Sequence, residues 1–308
     1  MTTAIITGIT GQDGSYLSEL LLRKNYDVHG FIRRETAKVN PDVEYHFVDL
    51  NNSEEISRVI RELKPDEIYN LAAQSHVGTS FECPEVTGNI TGLGIVRILE
   101  AVRYGCARTR VYQASSSEMF GRQPAPQNEL TPLIPLSPYA AAKVYAHHMC
   151  RVYRESYGLH VSAGIMMNHE SERRGENFVT RKITKAIGRI KRGEQGVLYL
   201  GNLDAIRDWG YAPEYVEVMW KMLQQDKPDD YVIGTGEAHS VRDFLGAAFE
   251  YAGLSVFDHA KTTQGEKRPN DVPELRADCT KAREKLGWNP KVKFNELVRI
   301  MVDADMVR

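Results

Sequence analysis

Short apolar runs alternate with longer stretches of helical periodicity through the first half of the chain. The runs Ala4–Thr7, Val28–Ile32, Val43–Val48, Glu67–Ala72, Val111–Ala114 and His160–Met167 predict strands. Between them, Leu17, Leu20 and Leu21 share one face of a helix over Ser15–Lys24. Ile56, Val59, Ile60 and Leu63 do the same over Ser53–Leu63, with Ser53 the candidate N-cap. A long helix from Tyr139 to Tyr157 starts just after Pro138. Alternation of this kind predicts repeated βα units on a parallel sheet. After about Asn168 the pattern loosens. Val197–Leu200 and Tyr231–Ile233 predict short strands, and Tyr211–Gln225, Val241–Ala252 and Phe294–Val307 predict helices. Gly265–Pro273 predicts a loop. The fold expected is α/β, a doubly wound parallel sheet with a smaller α/β C-terminal lobe. Residues 1–168 are expected to form the nucleotide-binding unit, with segments from about 200–235 returning to it. Residues 169–308 are expected to make most of the second lobe.

A length of 308 residues has room for both units, and 42% hydrophobic residues supply an ordinary packed core. The 39 basic and 41 acidic residues leave a formal charge of −2, so no global field points toward nucleic acid or membrane. Cys83, Cys106, Cys150 and Cys279 are scattered without C-x-x-C spacing. That is the usage of reduced thiols in the cytoplasm, not of a disulfide framework or a zinc site. His147 and His148 are adjacent on a helix and face apart, and no metal is expected. Met1 leads directly into the first strand, leaving no room for a signal peptide. No apolar run approaches the roughly 20 residues of a membrane-spanning helix.

Two constellations carry chemistry. Gly8, Gly11 and Gly14, at i, i+3 and i+6 in Thr7–Gly14, join the first strand to the first helix. They allow a tight turn, close backbone approach to a pyrophosphate and an anion site at the helix N-terminus, although the spacing is not the usual G-x-G-x-x-G. The second strand ends in Phe31-Ile32-Arg33-Arg34. An acid there suits the ribose hydroxyls of NAD, whereas arginine suits a 2′-phosphate, so NADP is the expected cofactor with Arg33 as its contact. Asp49 and Leu50, closing the third strand, are candidate adenine contacts.

The second constellation is Ser115–Gly121 followed by Tyr139-Ala-Ala-Ala-Lys143. Tyr139 and Lys143 share a helix face, so the ammonium is expected near the phenol, favouring its ionised form. Such a base can take a proton from a sugar hydroxyl while hydride leaves the same carbon. Glu118 adds a second base that simple hydride transfer does not need. Two bases beside one nicotinamide point to oxidation followed by elimination.

These residues, with Gln74–Val77, Ser80-Phe81, Asn168–Ser171, Arg173–Ile183 and Leu200–Gly210, resemble the extended short-chain dehydrogenase/reductases. Within them they are most similar to the GDP-mannose 4,6-dehydratase family, over nearly the whole chain. The resemblance implies a Rossmann-type domain, and a lyase that turns GDP-mannose into its 4-keto-6-deoxy derivative through NADP with loss of water. It implies Ser116, Glu118, Tyr139 and Lys143 as catalytic residues, with Ser116 where the family usually has threonine. For the cofactor it implies Gly8, Gly11, Gln12, Asp13, Gly14, Arg33, Asp49, Leu50, Leu71, Ala73, Ser75, Tyr139, Lys143, His169 and Arg174. For the substrate it implies Ser80, Glu118, Asn168, Asn177, Val179, Lys182, Gly201, Arg207 and Arg268, with Lys182, Arg207 and Arg268 near the diphosphate. It also implies a homodimer through two long helices, around Gly92–Arg103 and Tyr139–Tyr157. The segment Glu35–Asp42 is shorter than the family's usual loop, which leaves a tetramer open. A 4,6-dehydratase of another GDP-sugar, such as a GDP-manno-heptose, is the nearest alternative. A nucleotide-sugar reductase or epimerase, and a non-catalytic nucleotide sensor, stand further off.

Overall fold

A computed structural model of the chain describes residues 1–34, 40–263 and 269–307. Its strands are β1 (Thr3–Thr7), β2 (Asp27–Ile32), β3 (Glu44–Phe47), β4 (Glu67–Asn70), β5 (Arg110–Ser116), β6 (Val161–Met166) and β7 (Asn168–Glu170). They continue with β8 (Leu198–Leu200), β9 (Ile206–Arg207), β10 (Trp209–Tyr211), β11 (Asp230–Ile233), β12 (His239–Ser240), β13 (Ala260–Thr262) and β14 (Glu274–Leu275). The helices are α1 (Gln12–Arg23), α2 (Ser53–Leu63), α3 (Val77–Glu82), α4 (Pro84–Thr87), α5 (Leu93–Gly105) and α6 (Pro138–Tyr157). The later ones are α7 (Val179–Lys191), α8 (Ala212–Leu223), α9 (Val241–Tyr251), α10 (Val256–His259), α11 (Thr280–Leu286) and α12 (Phe294–Met306). None of the helices is long and apolar enough to cross a membrane, among the described residues.

Seven strands form one parallel sheet in the order β11-β6-β5-β4-β1-β2-β3. The inner strands β1, β4 and β6 are buried because helices cover both faces, and β1 and β6 are mostly apolar. One face packs Leu17 and Leu21 of α1 and Val216 and Met219 of α8. The other packs Ile56, Val59 and Ile60 of α2, Ile95, Ile98 and Leu99 of α5, and Ala146 and Cys150 of α6. A third core joins α7, α9 and α12 through Ile183, Ile187, Phe244, Phe249, Leu297 and Met301.

Local chemistry sets the ends of the elements. The cap of α2 is Asn52, one residue before the expected Ser53, because its Oδ1 accepts from the amides of Glu54 and Glu55 at 3.1 and 3.2 Å. Ser137 caps α6 by accepting from the amide of Ala140 at 3.1 Å, Pro138 opens the helix, and Gly158 at φ +65° ends it. Ahead of α5 the chain runs through a π-helical turn, Gly88–Gly92. The expected strand Tyr231–Ile233 belongs to the main sheet, as the outer neighbour of β6.

Candidate active site

Successive strands are added in one direction from β1 to β3 and in the other from β4 to β6. The loops after β1 and β4 therefore part and leave a crevice at the carboxyl ends of the strands. Gly8 has φ +70°, and a Cβ there would lie 2.9 Å from the Ala72 amide nitrogen, so the loop rests on Leu71–Ala72 only without a side chain. A Cβ on Gly14 would lie 2.4 Å from the Gly8 carbonyl oxygen. Thr7 Oγ1 donates to Asn70 Oδ1 at 2.7 Å and accepts from the Ala72 amide at 3.1 Å, tying the two loops together. Gly11 precedes α1 without a capping side chain, so the first-turn amides of that helix present an anion site. This cradle fits a dinucleotide diphosphate.

Asp13 and His169 meet beside it, with Nε2 of the ring 2.8 Å from Oδ2 and Nδ1 2.8 Å from the Met167 carbonyl. Burial pushes the Asp13 carboxyl up, but the His169 charge and hydrogen bond bring it down to about 2. Burial likewise lowers His169, and Asp13 more than reverses this, so its pKa is raised. The ring stacks on Tyr215 at 4.6 Å. Gln12 Nε2 donates to Asp13 Oδ1 and to the His169 carbonyl, and Gln12 Oε1 accepts from Ser171 Oγ at 2.8 Å. Leu71, Ala73 and Ser75 lie on the segment after β4. Arg33 is exposed just past β2. Asp49 and Leu50 fall in the turn after β3, which ends at Phe47 and not at Asp49-Leu50 as the sequence predicts. The Leu50 side chain is buried under α5, and Arg97 Nη1 donates to its carbonyl at 2.9 Å.

Next to the crevice, β5 ends at Ser116, whose Oγ accepts from the Glu118 amide at 3.3 Å and opens the turn Ser117–Phe120. Tyr139 and Lys143 are buried on α6. Their arrangement corrects one expectation. Lys143 Nζ donates to the Ala114 carbonyl at 2.6 Å and lies 5.8 Å from the Tyr139 ring centre. Burial pushes the phenol up to about 12, against a lowering hydrogen bond from Ser116, so it is not held ionised here. Burial also lowers the Lys143 ammonium, to about 8.

A cavity of about 520 Å³ opens beside these residues, between the sheet and the third core. Glu118, Asn168, Asn177, Val179, Lys182, Gly201 and Arg207 all line it. Ser80 does not: it is fully buried, with Oγ donating to the Val77 carbonyl at 2.6 Å. Arg268 lies outside the described residues. Arg207 Nη2 is 3.9 Å from Glu118 Oε1 and 3.3 Å from Asp271 Oδ1. Its neighbour Asp208 accepts from the amides of Thr235, Gly236 and Ala277 and from Thr235 Oγ1, fixing β9 to the end of β11. Arg174 stacks over Phe178 at 3.6 Å, with Nε 3.3 Å from Glu170 Oε2. His76 lines the cavity and caps α3 by accepting from the Thr79 amide at 3.1 Å.

Asp271, Phe178 and Trp209 also line this cavity, and sequence reasoning missed them as site residues. Asp271 had a signal, since a buried arginine such as Arg207 needs a carboxylate partner.

A parallel sheet with a glycine cradle at its reversal point, with Ser116 at the end of β5 and Tyr139 and Lys143 buried on α6, defines a nucleotide-dependent enzyme of the extended short-chain dehydrogenase/reductase type. The UDP-glucose 4-epimerase of Thermus thermophilus, solved in complex with NAD, superposes with a TM-score of 0.87 at 30% identity, covering 98% of both chains. The family profile described as GDP-mannose 4,6 dehydratase matches residues 5–301. GDP-mannose 4,6 dehydratase 1 of Arabidopsis thaliana is 52% identical over 322 residues, covering 98% of this chain and 89% of the relative. The GDP-mannose 4,6 dehydratase of Homo sapiens is 46% identical over 339 residues, covering 98% and 91%. The chain belongs to the GDP-mannose 4,6-dehydratase family.

Proposed function

We propose that the protein is a cytoplasmic hydro-lyase that converts GDP-mannose to GDP-4-keto-6-deoxymannose with NADP as its cofactor. The observation that carries this reading is that Glu118 and Arg207 line one cavity 3.9 Å apart, with the Glu118 amide bonded to Ser116 Oγ. Residues 1–168, with returning segments from about 200–235, hold the cofactor, and most of 169–308 holds the GDP-sugar.

Bound NADP supplies the acceptor and donor of hydride, and its cationic ring favours an anionic phenol. The residues supply positioning and proton transfer. Tyr139 Oη takes the proton of the sugar's C4 hydroxyl, and Ser116 Oγ donates a hydrogen bond to the same oxygen. With C4 a ketone, the C5 proton becomes acidic, and the Glu118 carboxylate removes it. Glu118 then returns that proton to the C6 hydroxyl, which leaves as water. C6 takes back the hydride that left C4, and Tyr139 passes the proton it took from the C4 hydroxyl to C5, leaving no net oxidation. Lys182 and Arg207 neutralise the diphosphate, Arg207 through its planar fork. The first-turn amides of α1 and Arg33 hold the cofactor phosphates.

The test is mass spectrometry of GDP-mannose incubated with protein and NADP⁺. A product lighter by one water supports the reading. An unchanged mass rejects it, whether the sugar is untouched or only epimerised. Arg33→Ala should weaken NADP⁺ about tenfold or more and leave NAD⁺ unchanged, because one charge-assisted contact is removed. Equal binding of NAD⁺ and NADP⁺ by the unaltered protein would refute the cofactor assignment. Leu93 of α5 and Tyr145 and Val152 of α6 are exposed apolar residues on the two long helices, and they support a homodimer through that face. Sedimentation velocity should give a dimer, and a monomer at micromolar concentration would remove the proposal.

A further inference from the structure

At the outer edge of the sheet, β2 and β3 bring two histidines and a carboxylate together. The parallel register sets His29 opposite Glu44 and Phe31 opposite His46, so the three side chains emerge on one face of the sheet. His29 Nδ1 is 2.9 Å from His46 Nε2. The Glu44 carboxylate lies 3.8 Å from the first nitrogen and 3.7 Å from the second. All three ligand atoms fall within 4.8 Å of one another.

The remaining nitrogen of His29 is also committed. Its Nε2 is 3.2 Å from Asp27 Oδ2, and an ionised carboxylate only accepts, so Nε2 carries the ring proton. In the neutral ring that leaves Nδ1 with a lone pair, and it faces His46 Nε2. A carboxylate orienting the outer nitrogen of a histidine is the usual support of a metal-binding imidazole. His29 is 3% exposed, so its ring is already fixed in place. Glu44 is exposed and has the freedom to close the remaining distance. Two metal–nitrogen bonds of about 2.05 Å place their nitrogens about 2.9 Å apart at a right angle and about 3.3 Å apart in a tetrahedron. The separation seen here matches that range without rearrangement.

We propose that His29, His46 and Glu44 form a binding site for a late first-row divalent metal ion, with Asp27 as the orienting group. Two imidazoles and one carboxylate select zinc, nickel or copper over magnesium or calcium. None of the three lines the catalytic cavity. Bound there, the ion joins the outermost strand of the sheet to its neighbour, and its effect is on the stability of that edge. Spacing along the chain does not announce the site, since its two histidines are 17 positions apart on different strands.

Isothermal titration of the full chain with Zn²⁺, and with Mg²⁺ as control, tests this. One equivalent of Zn²⁺ should bind and raise the melting temperature by a few degrees. His46→Ala should weaken that binding at least tenfold, Glu44→Gln should weaken it less, and Mg²⁺ should give no heat. Turnover should be the same with and without EDTA, which separates this site from the catalytic assignment. No Zn²⁺ binding by the unaltered protein overturns the proposal. So does binding that His46→Ala leaves intact, which would place the ion on the thiols or elsewhere.

Discussion

Glu118→Gln is expected to lower the turnover of GDP-mannose by about 10²- to 10⁴-fold, the usual worth of a positioned base. Binding of GDP-mannose and of NADP⁺ should stay within a few-fold of the unaltered protein. The amide keeps the side chain's size and can still hydrogen-bond, so the turn at Ser117–Phe120, built on Ser116 Oγ and the Glu118 amide, is retained. What it loses is the ability to accept the C5 proton and to hand it on. Its contact with Arg207 is a 3.9 Å approach, not a tight pair, so the guanidinium keeps Asp271 at 3.3 Å when that charge is gone. A rapid burst of cofactor reduction without water loss would place the block after C4 oxidation. Full turnover would remove Glu118 from the mechanism.

Lys143→Met is expected to be more stable than the unaltered protein at pH 7. Burial holds the Lys143 ammonium at about 8 in place of 10.5, which costs the folded chain on the order of 3 kcal/mol when the group is charged. Below pH 8 the lysine is protonated in both folded and unfolded chains, and the full cost applies. Between about 8 and 10.5 the unfolded chain still binds the proton that the folded one has lost. Stability of the unaltered protein therefore rises with pH through that window, and its deficit against the methionine variant closes. Methionine is close to lysine in length, and the Ala114 carbonyl keeps the Gln113 side-chain amide at 3.0 Å. Scanning calorimetry at pH 7 and pH 10 reads the difference. A variant less stable at pH 7, or a gap unchanged at pH 10, would show that burial does not set this group's energy.

The sheet was legible because its signal is local. Strands such as β1 and β6 are apolar on both faces, and the periodicities of α1 and α2 match the faces they bury. Cap choice was less so, since Asn52 and Ser53 are both good caps and only the amide geometry separates them. The glycine cradle was readable from spacing, but not its reason, which is contact with Leu71–Ala72 from a distant part of the chain. The Tyr139–Lys143 pair shows the same limit in energetic form. Four-residue spacing puts them on one face, but burial and the Ala114 carbonyl decide where the ammonium goes and how each group titrates. Asp271 reaches Arg207 across 64 positions, a separation with no periodic signature.

The position of β11 bears on how the chain must be made. Six consecutive buried residues, Val161–Met166, form β6, and β11 supplies the hydrogen bonds on its outer side. Those two strands are separated by the first part of the second lobe. During synthesis, β6 leaves the ribosome well before Ile233, and until then it is an apolar strand with one open edge, the kind of surface that pairs with other chains. A fragment ending near residue 168 would keep that edge permanently. Residues 1–168 therefore cannot be cut free with this edge of the sheet covered unless something takes the place of β11.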